Sequence, residues 1–199
     1  MVLVTHLDEK SSETDADLIG QACRFPERFA VVFDRHYGHI YAYAARRLGR
    51  DLAEDVASET FLVAFDRRLG YDTARVDARP WLYGIASNLI ARQARAESRR
   101  YTMLAQAGGN ELVDAHDDVA AARVDALAVR GRLAQALARL PGAERDVLLL
   151  VAWAGLSQQE AAAALGIPAG TARSRLHRAR REMRQALGAE VEVDEQWRS

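Results

Sequence analysis

The sequence is short of several things, and each shortage removes a class of explanation. Among its 199 residues there is one cysteine, Cys23. No intramolecular disulfide can form, and no cysteine-based zinc site exists. An isolated cysteine of this kind reads as a small buried or inert residue. Lys10 is the only lysine, so every other cation is an arginine. No apolar run approaches the ~18 residues of a membrane span. The start, Met1 to Lys10, lacks the basic end and apolar stretch of a signal peptide. The expectation is a chain that stays in the cytoplasm. There is no strand-type alternation and no internal repeat. A phosphate-cradling glycine loop and a nucleophile elbow are also missing.

A net charge of −1 excludes a uniformly basic nucleic-acid binder, but the average hides segregation. Residues 1–20 carry five acids (Asp8, Glu9, Glu13, Asp15, Asp17) against Lys10. Residues 101–129 carry five acids (Glu111, Asp114, Asp117, Asp118, Asp125) against Arg123. Residues 188–199 carry four acids against Arg198. Arg130 to Leu187 instead holds ten arginines and four acids, a net of +6. Acidic connectors around basic, apolar-patterned blocks suit a DNA binder with flexible joints.

The apolar spacing is helical throughout. Phe29, Phe33, Tyr37, Ile40, Tyr41, Ala44 and Leu48 share one face, and Gly49 ends that helix. Asp51 caps a second helix to about Asp66. Residues 69–79 read as a loop, and Pro80 fits the first turn of a third helix from about Trp81 to Arg99. Residues 101–129 lose the pattern and read as an acidic linker with at most one weak helix. From 130 the pattern returns as four short helices, the first stopped by Pro141-Gly142. Ser157 with Glu160 opens the third as a capping box. The fourth follows Ile167-Pro168-Ala169-Gly170, with Ala172, Leu176, Ala179, Met183 and Leu187 as its stripe.

The expected fold is therefore all-α. Two small helical domains, 25–100 and 130–187, are joined by a flexible acidic linker, 101–129. An acidic flexible N-terminus covers 1–24, and an acidic tail covers 188–199.

Two short helices joined by a tight turn are a helix-turn-helix, whose second helix enters the major groove. Opposite its stripe, the last helix presents Thr171, Arg173, Ser174, Arg175, His177, Arg178 and Arg181. Arginine reads guanine bidentately, and Thr or Ser bonds bases or phosphates. A solvated arginine face is the bland alternative, but the capped helix and glycine turn in front of this one favour DNA.

The segment Leu156 to Arg181, above all Gly170-Thr171-Ala172-Arg173-Ser174-Arg175-Leu176-His177-Arg178-Ala179-Arg180, resembles region 4 of bacterial sigma factors of the extracytoplasmic-function group. Asp51-Leu52-Ala53-Glu54-Asp55-Val56-Ala57-Ser58-Glu59-Thr60-Phe61-Leu62 looks like that family's region 2.2. Pro80-Trp81-Leu82-Tyr83-Gly84-Ile85-Ala86-Ser87-Asn88 looks like its region 2.3–2.4 helix. The resemblance implies a dissociable RNA polymerase subunit that directs the core enzyme to promoters and is no enzyme itself. Region 4 would read the −35 element as duplex through Thr171, Arg173, Ser174, Arg175, Arg178 and Arg181. Region 2 would hold the −10 element as single strand. Implied partners are promoter DNA, the clamp helices and flap of core polymerase, and an anti-sigma factor. One departure is Ala161, where the family has a larger aliphatic residue, so the helix from Gln158 is expected to pack loosely.

Melted DNA needs a basic track and faces for stacking. Arg75, Arg79, Asn88, Arg92 and Arg95 offer the track and Tyr71 a face; Trp81, at the start of an apolar helix, reads as core. Glu54, Asp55 and Glu59 share a helix surface. Acids in a first turn are ordinary dipole stabilisers, and the resemblance assigns them, with Arg46 and Asp51, to the polymerase clamp. No cofactor or metal is expected. His36 and His39, at i and i+3, have no evident further ligands and read as structural. The competing identity is a stand-alone helix-turn-helix regulator, which would dimerise on symmetric half-sites. A helical enzyme using Glu54, Asp55 and Glu59 has no other support in the chain.

Overall fold

A computed structural model of the chain describes residues 13–109 and 118–187. The tail 188–199, most of the acidic lead-in and the centre of the linker lie outside the described residues. Among those described there are nine α-helices and no strand: α1 (Asp15–Ala22), α2 (Phe29–Leu48), α3 (Arg50–Asp66), α4 (Arg79–Arg92), α5 (Ala94–Gly109), α6 (Asp118–Arg139), α7 (Gly142–Ala152), α8 (Gln158–Leu165) and α9 (Ala169–Leu187).

Two segments expected to be irregular are helical. Within the lead-in, Thr14 caps α1 through a reciprocal box with Asp17. Leu18, Ile19 and Ala22 then have no exposed surface, so burial and capping win over the local acidity. The expected linker is largely two long helices, α5 and α6, packed on each other. Their core contribution is Tyr101 on α5 and Leu137 on α6, with Ala134 and Ala136 also buried. Alanine buries well while adding little to a hydrophobicity profile.

The third expected helix also divides. Its hydrogen bonding breaks at Gln93 (φ −96°, ψ 21°), whose carbonyl accepts from the Ala96 and Glu97 amides and so starts α5. The break is accompanied by burial of Glu97 and Tyr101.

On α2 the inward face is rotated from the expected one. Val32, His36, Ile40, Tyr43 and Arg47 point into the core, while Phe33 is exposed and Tyr37 and Tyr41 are half-buried. The displaced aromatics pack sideways on α3, with Phe33 and Tyr37 ring centroids 5.0 and 6.0 Å from Phe61. Gly49 (φ 94°) joins α2 to α3 in a backbone conformation that favours glycine.

His36 has the structural role expected of it. Its Nε2 lies 2.7 Å from Asp15 in the core, tying α1 to α2. Asp15 also accepts from the Ala78 amide at 3.0 Å and from Arg35. Burial pushes the Asp15 carboxyl up, but His36, the Ala78 amide and Arg35 together outweigh it and hold it down at about 2.

Helices α1 to α4 form one bundle and α7 to α9 a second, joined by the α5–α6 pair, which packs on α2 and on α9. The two press together, so one hydrophobic core runs from Leu18 to Ala179.

Candidate nucleic-acid interface

The helix-turn-helix is built from its caps outward. Ser157 Oγ accepts from the Glu160 amide at 3.2 Å, and Glu160 accepts from the Ser157 amide at 2.7 Å. This satisfies two of the orphan amides of an eight-residue helix, α8. Gly166 (φ 62°) ends it in the left-handed region, and the Ile167 amide returns to Ala162 O at 3.0 Å. Helix α9 begins at Ala169, slightly earlier than the sequence suggests. Ala172 and Leu176 seat it against Val147, Ala162 and Leu165. The expected looseness at Ala161 is not found: its side chain has no exposed surface, and its small size accompanies a close approach of α8 to α4.

Seated in this way, α9 turns Arg173, Ser174, His177, Arg178 and Arg181 to solvent, with Thr171 and Arg175 half-buried beside them. The cationic side is open along its length. The Ser174 hydroxyl donates to Thr171 O at 3.0 Å. Arg178 differs from its neighbours: its Nε donates to Glu144 of α7 at 2.6 Å. Glu144 is buried, so Arg178 helps to seat α9 as well as facing outward.

The second group of candidates does not form one track. Helical period places Asn88 and Arg92, seven and eleven residues beyond Trp81, on the face of Trp81. Trp81 is half-buried rather than wholly core, and its ring centroid lies 4.9 Å from that of Tyr71. Tyr71 donates to Arg75 O at 2.6 Å. Burial, with Asp15 and Asp77 adding to it, pushes the Tyr71 phenol up to about 12. It therefore stays neutral, a stacking face with a fixed edge. Tyr71, Trp81, Asn88 and Arg92 thus line one side, with exposed Arg95 beyond on α5.

Arg79 lies half a turn round α4 from Asn88. Asp77 holds it, with a carboxylate oxygen 2.7 Å from its guanidinium, and the Glu160 charge of α8 adds to the pull. Arg75 is exposed and only loosely paired with Asp72, at 3.4 Å.

Arg46, Asp51, Glu54, Asp55 and Glu59 are all exposed. Glu59 lies 3.9 Å from Arg92, and Arg46 lies over the Trp153 ring at 5.8 Å. Among the described residues, no group of three His, Cys, Asp or Glu side chains could hold a metal. Also among them, no helix is long and apolar enough to cross a membrane.

Two family models match the two bundles. Residues 32–100 match sigma-70 region 2, and residues 130–183 match sigma-70 region 4. The ECF RNA polymerase sigma factor SigL of Mycobacterium tuberculosis is 35% identical over 86% of this chain and 96% of its own. The chain belongs to the extracytoplasmic-function sigma factors. SigW of Bacillus subtilis, of the same family, is 32% identical over 81% of this chain and 89% of its own. Among solved structures, CnrH in complex with the cytosolic domain of CnrY superposes with a TM-score of 0.60 and 25% identity, over 88% of this chain and 98% of that one. This sigma factor therefore directs promoter-specific transcription by RNA polymerase, through an all-α fold of region 2 and region 4.

What sequence reasoning missed is the buried charge. Arg47 and Arg145 are enclosed, each with a buried neighbour on one side (Leu48 and Glu144) and a more exposed one on the other (Arg46 and Asp146). For Arg47 a signal was present. It falls four residues after Tyr43 and seven after Ile40, on the inward face of α2.

Proposed function

We propose that this sigma factor reads −35 duplex with the outer face of α9 and captures the −10 single strand on the side lined by Tyr71, Trp81, Asn88, Arg92 and Arg95. Arg173 is the leading base reader, with Thr171, Ser174, Arg175 and Arg181 as base or phosphate contacts. Arg178 contributes chiefly by seating the helix. Arg75 meets the strand at the loop, while Arg79, held by Asp77, is a weaker candidate. Arg46, Asp51, Glu54, Asp55 and Glu59 meet the clamp helices of the largest polymerase subunit, and region 4 meets the flap. The domains divide as 25–100 and 130–187, with α5 and α6 as a structured connection. The sigma factor works in the cytoplasm, where polymerase and promoter DNA are, and catalyses no reaction itself.

The observation that carries this reading is the open cationic side of α9, held out by a helix capped at both ends. A stand-alone regulator is disfavoured, because the region 2 match and relatives aligned along most of the chain go beyond a helix-turn-helix module. CnrH was solved with a protein partner, which supports an anti-sigma factor for this chain too.

The deciding experiment is transcription in vitro with core polymerase and genomic fragments. Initiation at defined sites that requires the added protein is expected. A symmetric footprint formed without core would overturn the assignment.

A further inference from the structure

Tyr71 and Arg75 sit on the loop 71–78, which has no helix or strand of its own. Residues 72–76 are exposed, so the core does not fix them. The bonds inside the loop are local. The Arg75 amide donates to Asp72 O at 3.0 Å, the Ala74 amide to the Asp72 carboxylate at 3.1 Å, and the Tyr71 hydroxyl to Arg75 O at 2.6 Å. They give the loop a shape without orienting it on the bundle.

Orientation comes from α1, which ties the loop at both ends. In front, Arg68 in the turn Arg68–Gly70 donates from Nε to the carbonyl of Ala22, the last residue of α1, at 3.1 Å. Midway, Gly20 stands against the Thr73 methyl group, which lies 3.9 Å from the place of a glycine Cβ. Behind, the Ala78 amide donates to Asp15 at 3.0 Å. Ala78 is wholly buried, so water cannot replace this acceptor. Asp15 is itself only 4% exposed and is held by His36 at 2.7 Å and by Arg35. Its charge also reaches the Tyr71 phenol. Helix α1 lies ahead of residue 32, where the match to sigma-70 region 2 begins.

We propose that α1 is a bracket for the strand-capturing loop, with Asp15 as a positioning residue: through the Ala78 amide it sets where Tyr71 and Arg75 meet the melted strand. This role rests on the reading that the Tyr71 side captures the −10 strand. Asp15 is enclosed and acts without touching DNA. A loop ordered beforehand loses less conformational freedom when the strand arrives, so the tie strengthens capture.

The test uses holoenzyme assembled with core polymerase. Its probe is a single-stranded oligonucleotide carrying the −10 non-template sequence of a promoter found by in vitro transcription, with the −35 duplex of that promoter as control. Asp15→Ala removes the acceptor, whereas Asp15→Asn keeps a carbonyl oxygen for the Ala78 amide. Far-UV circular dichroism establishes that each variant is folded. Asp15→Ala should weaken oligonucleotide binding about tenfold and leave the duplex Kd unchanged. Asp15→Asn should stay within about twofold of the parent on the oligonucleotide, despite its lower stability. In a Tyr71→Ala background, Asp15→Ala should add no more than about twofold, because the two residues act as one unit. In the free protein, hydrogen exchange over 73–78 should quicken in Asp15→Ala. Should Asp15→Ala not fold, Arg68→Ala, which cuts the front tie, is read in the same way. Equal losses on oligonucleotide and duplex, additive losses with Tyr71→Ala, or unchanged exchange over 73–78 in a folded variant would each refute the bracket. A Tyr71→Ala protein that keeps full oligonucleotide binding would instead refute the assignment of strand capture to this side, leaving hydrogen exchange to judge the tie.

Discussion

Arg173 and Arg178 stand five residues apart on α9, both exposed, and yet removing them should have different consequences. Arg173→Ala deletes an outward guanidinium. If it reads a guanine bidentately, the loss is about 1–3 kcal/mol, or roughly 5- to 150-fold in Kd. That loss should be confined to promoters carrying the matched −35 sequence. Arg178→Ala also removes the partner of a carboxylate whose side chain is only 11% exposed and whose Oε2 has no hydrogen-bond partner. Leaving Glu144 unpaired costs about 1–3 kcal/mol of folding stability. That lowers Tm by roughly 2–4 °C for each kcal/mol. The assay is fluorescence anisotropy of holoenzyme on a promoter found by in vitro transcription, set against the same duplex with its −35 element scrambled, alongside thermal denaturation of the free protein. An Arg173→Ala loss equal on both duplexes would make that residue a phosphate contact. An Arg178→Ala variant with unchanged Tm and a box-specific loss would refute the seating role drawn from Glu144.

Ser157→Ala removes half of the capping box of α8 and should cost about 1 kcal/mol of stability by urea denaturation. Asp15→Asn should cost about 2 kcal/mol at neutral pH. The carboxyl sits below its ordinary value in the folded protein, so its contribution is complete above about pH 4. It fades as pH falls toward 2, where parent and variant should converge in denaturant titrations. Tyr71→Ala should weaken capture of the melted strand by about 1–3 kcal/mol, seen as lost permanganate reactivity at −10 with −35 binding intact. Replacing Glu54, Asp55 and Glu59 together with alanine should reduce co-sedimentation with core polymerase while leaving the helical circular dichroism in place.

The helix-turn-helix was legible because each of its parts has a local cause: Ser157 with Glu160 at the start of α8, Gly166 at its end, and a four-residue rhythm through Leu176. The helices α2, α3 and the front of α4 were legible for the same reason. Their inward faces were less so, because aromatic residues cover two sides of α2 and periodicity alone does not say which side meets the core. Helices α1, α5 and α6 were missed where acidic residues suggested solvent. Asp15 and Glu97 are acidic, yet each is buried because cations from other helices reach it. Partners supplied across 20 or 50 residues of chain leave no mark in a local window. Arg79 combines both kinds of partner: Asp77 is only two residues away, whereas the Glu160 charge of α8 comes from far along the chain.

The Arg47–Glu97–Arg145 cluster has a thermodynamic consequence of its own. Ions enclosed in protein forgo their hydration, and such clusters are often no more stabilising than oily side chains of the same size. Removing a single member, by contrast, would strand its partners as enclosed charges with nothing to neutralise them, a far heavier loss than exchanging the whole set for hydrocarbon.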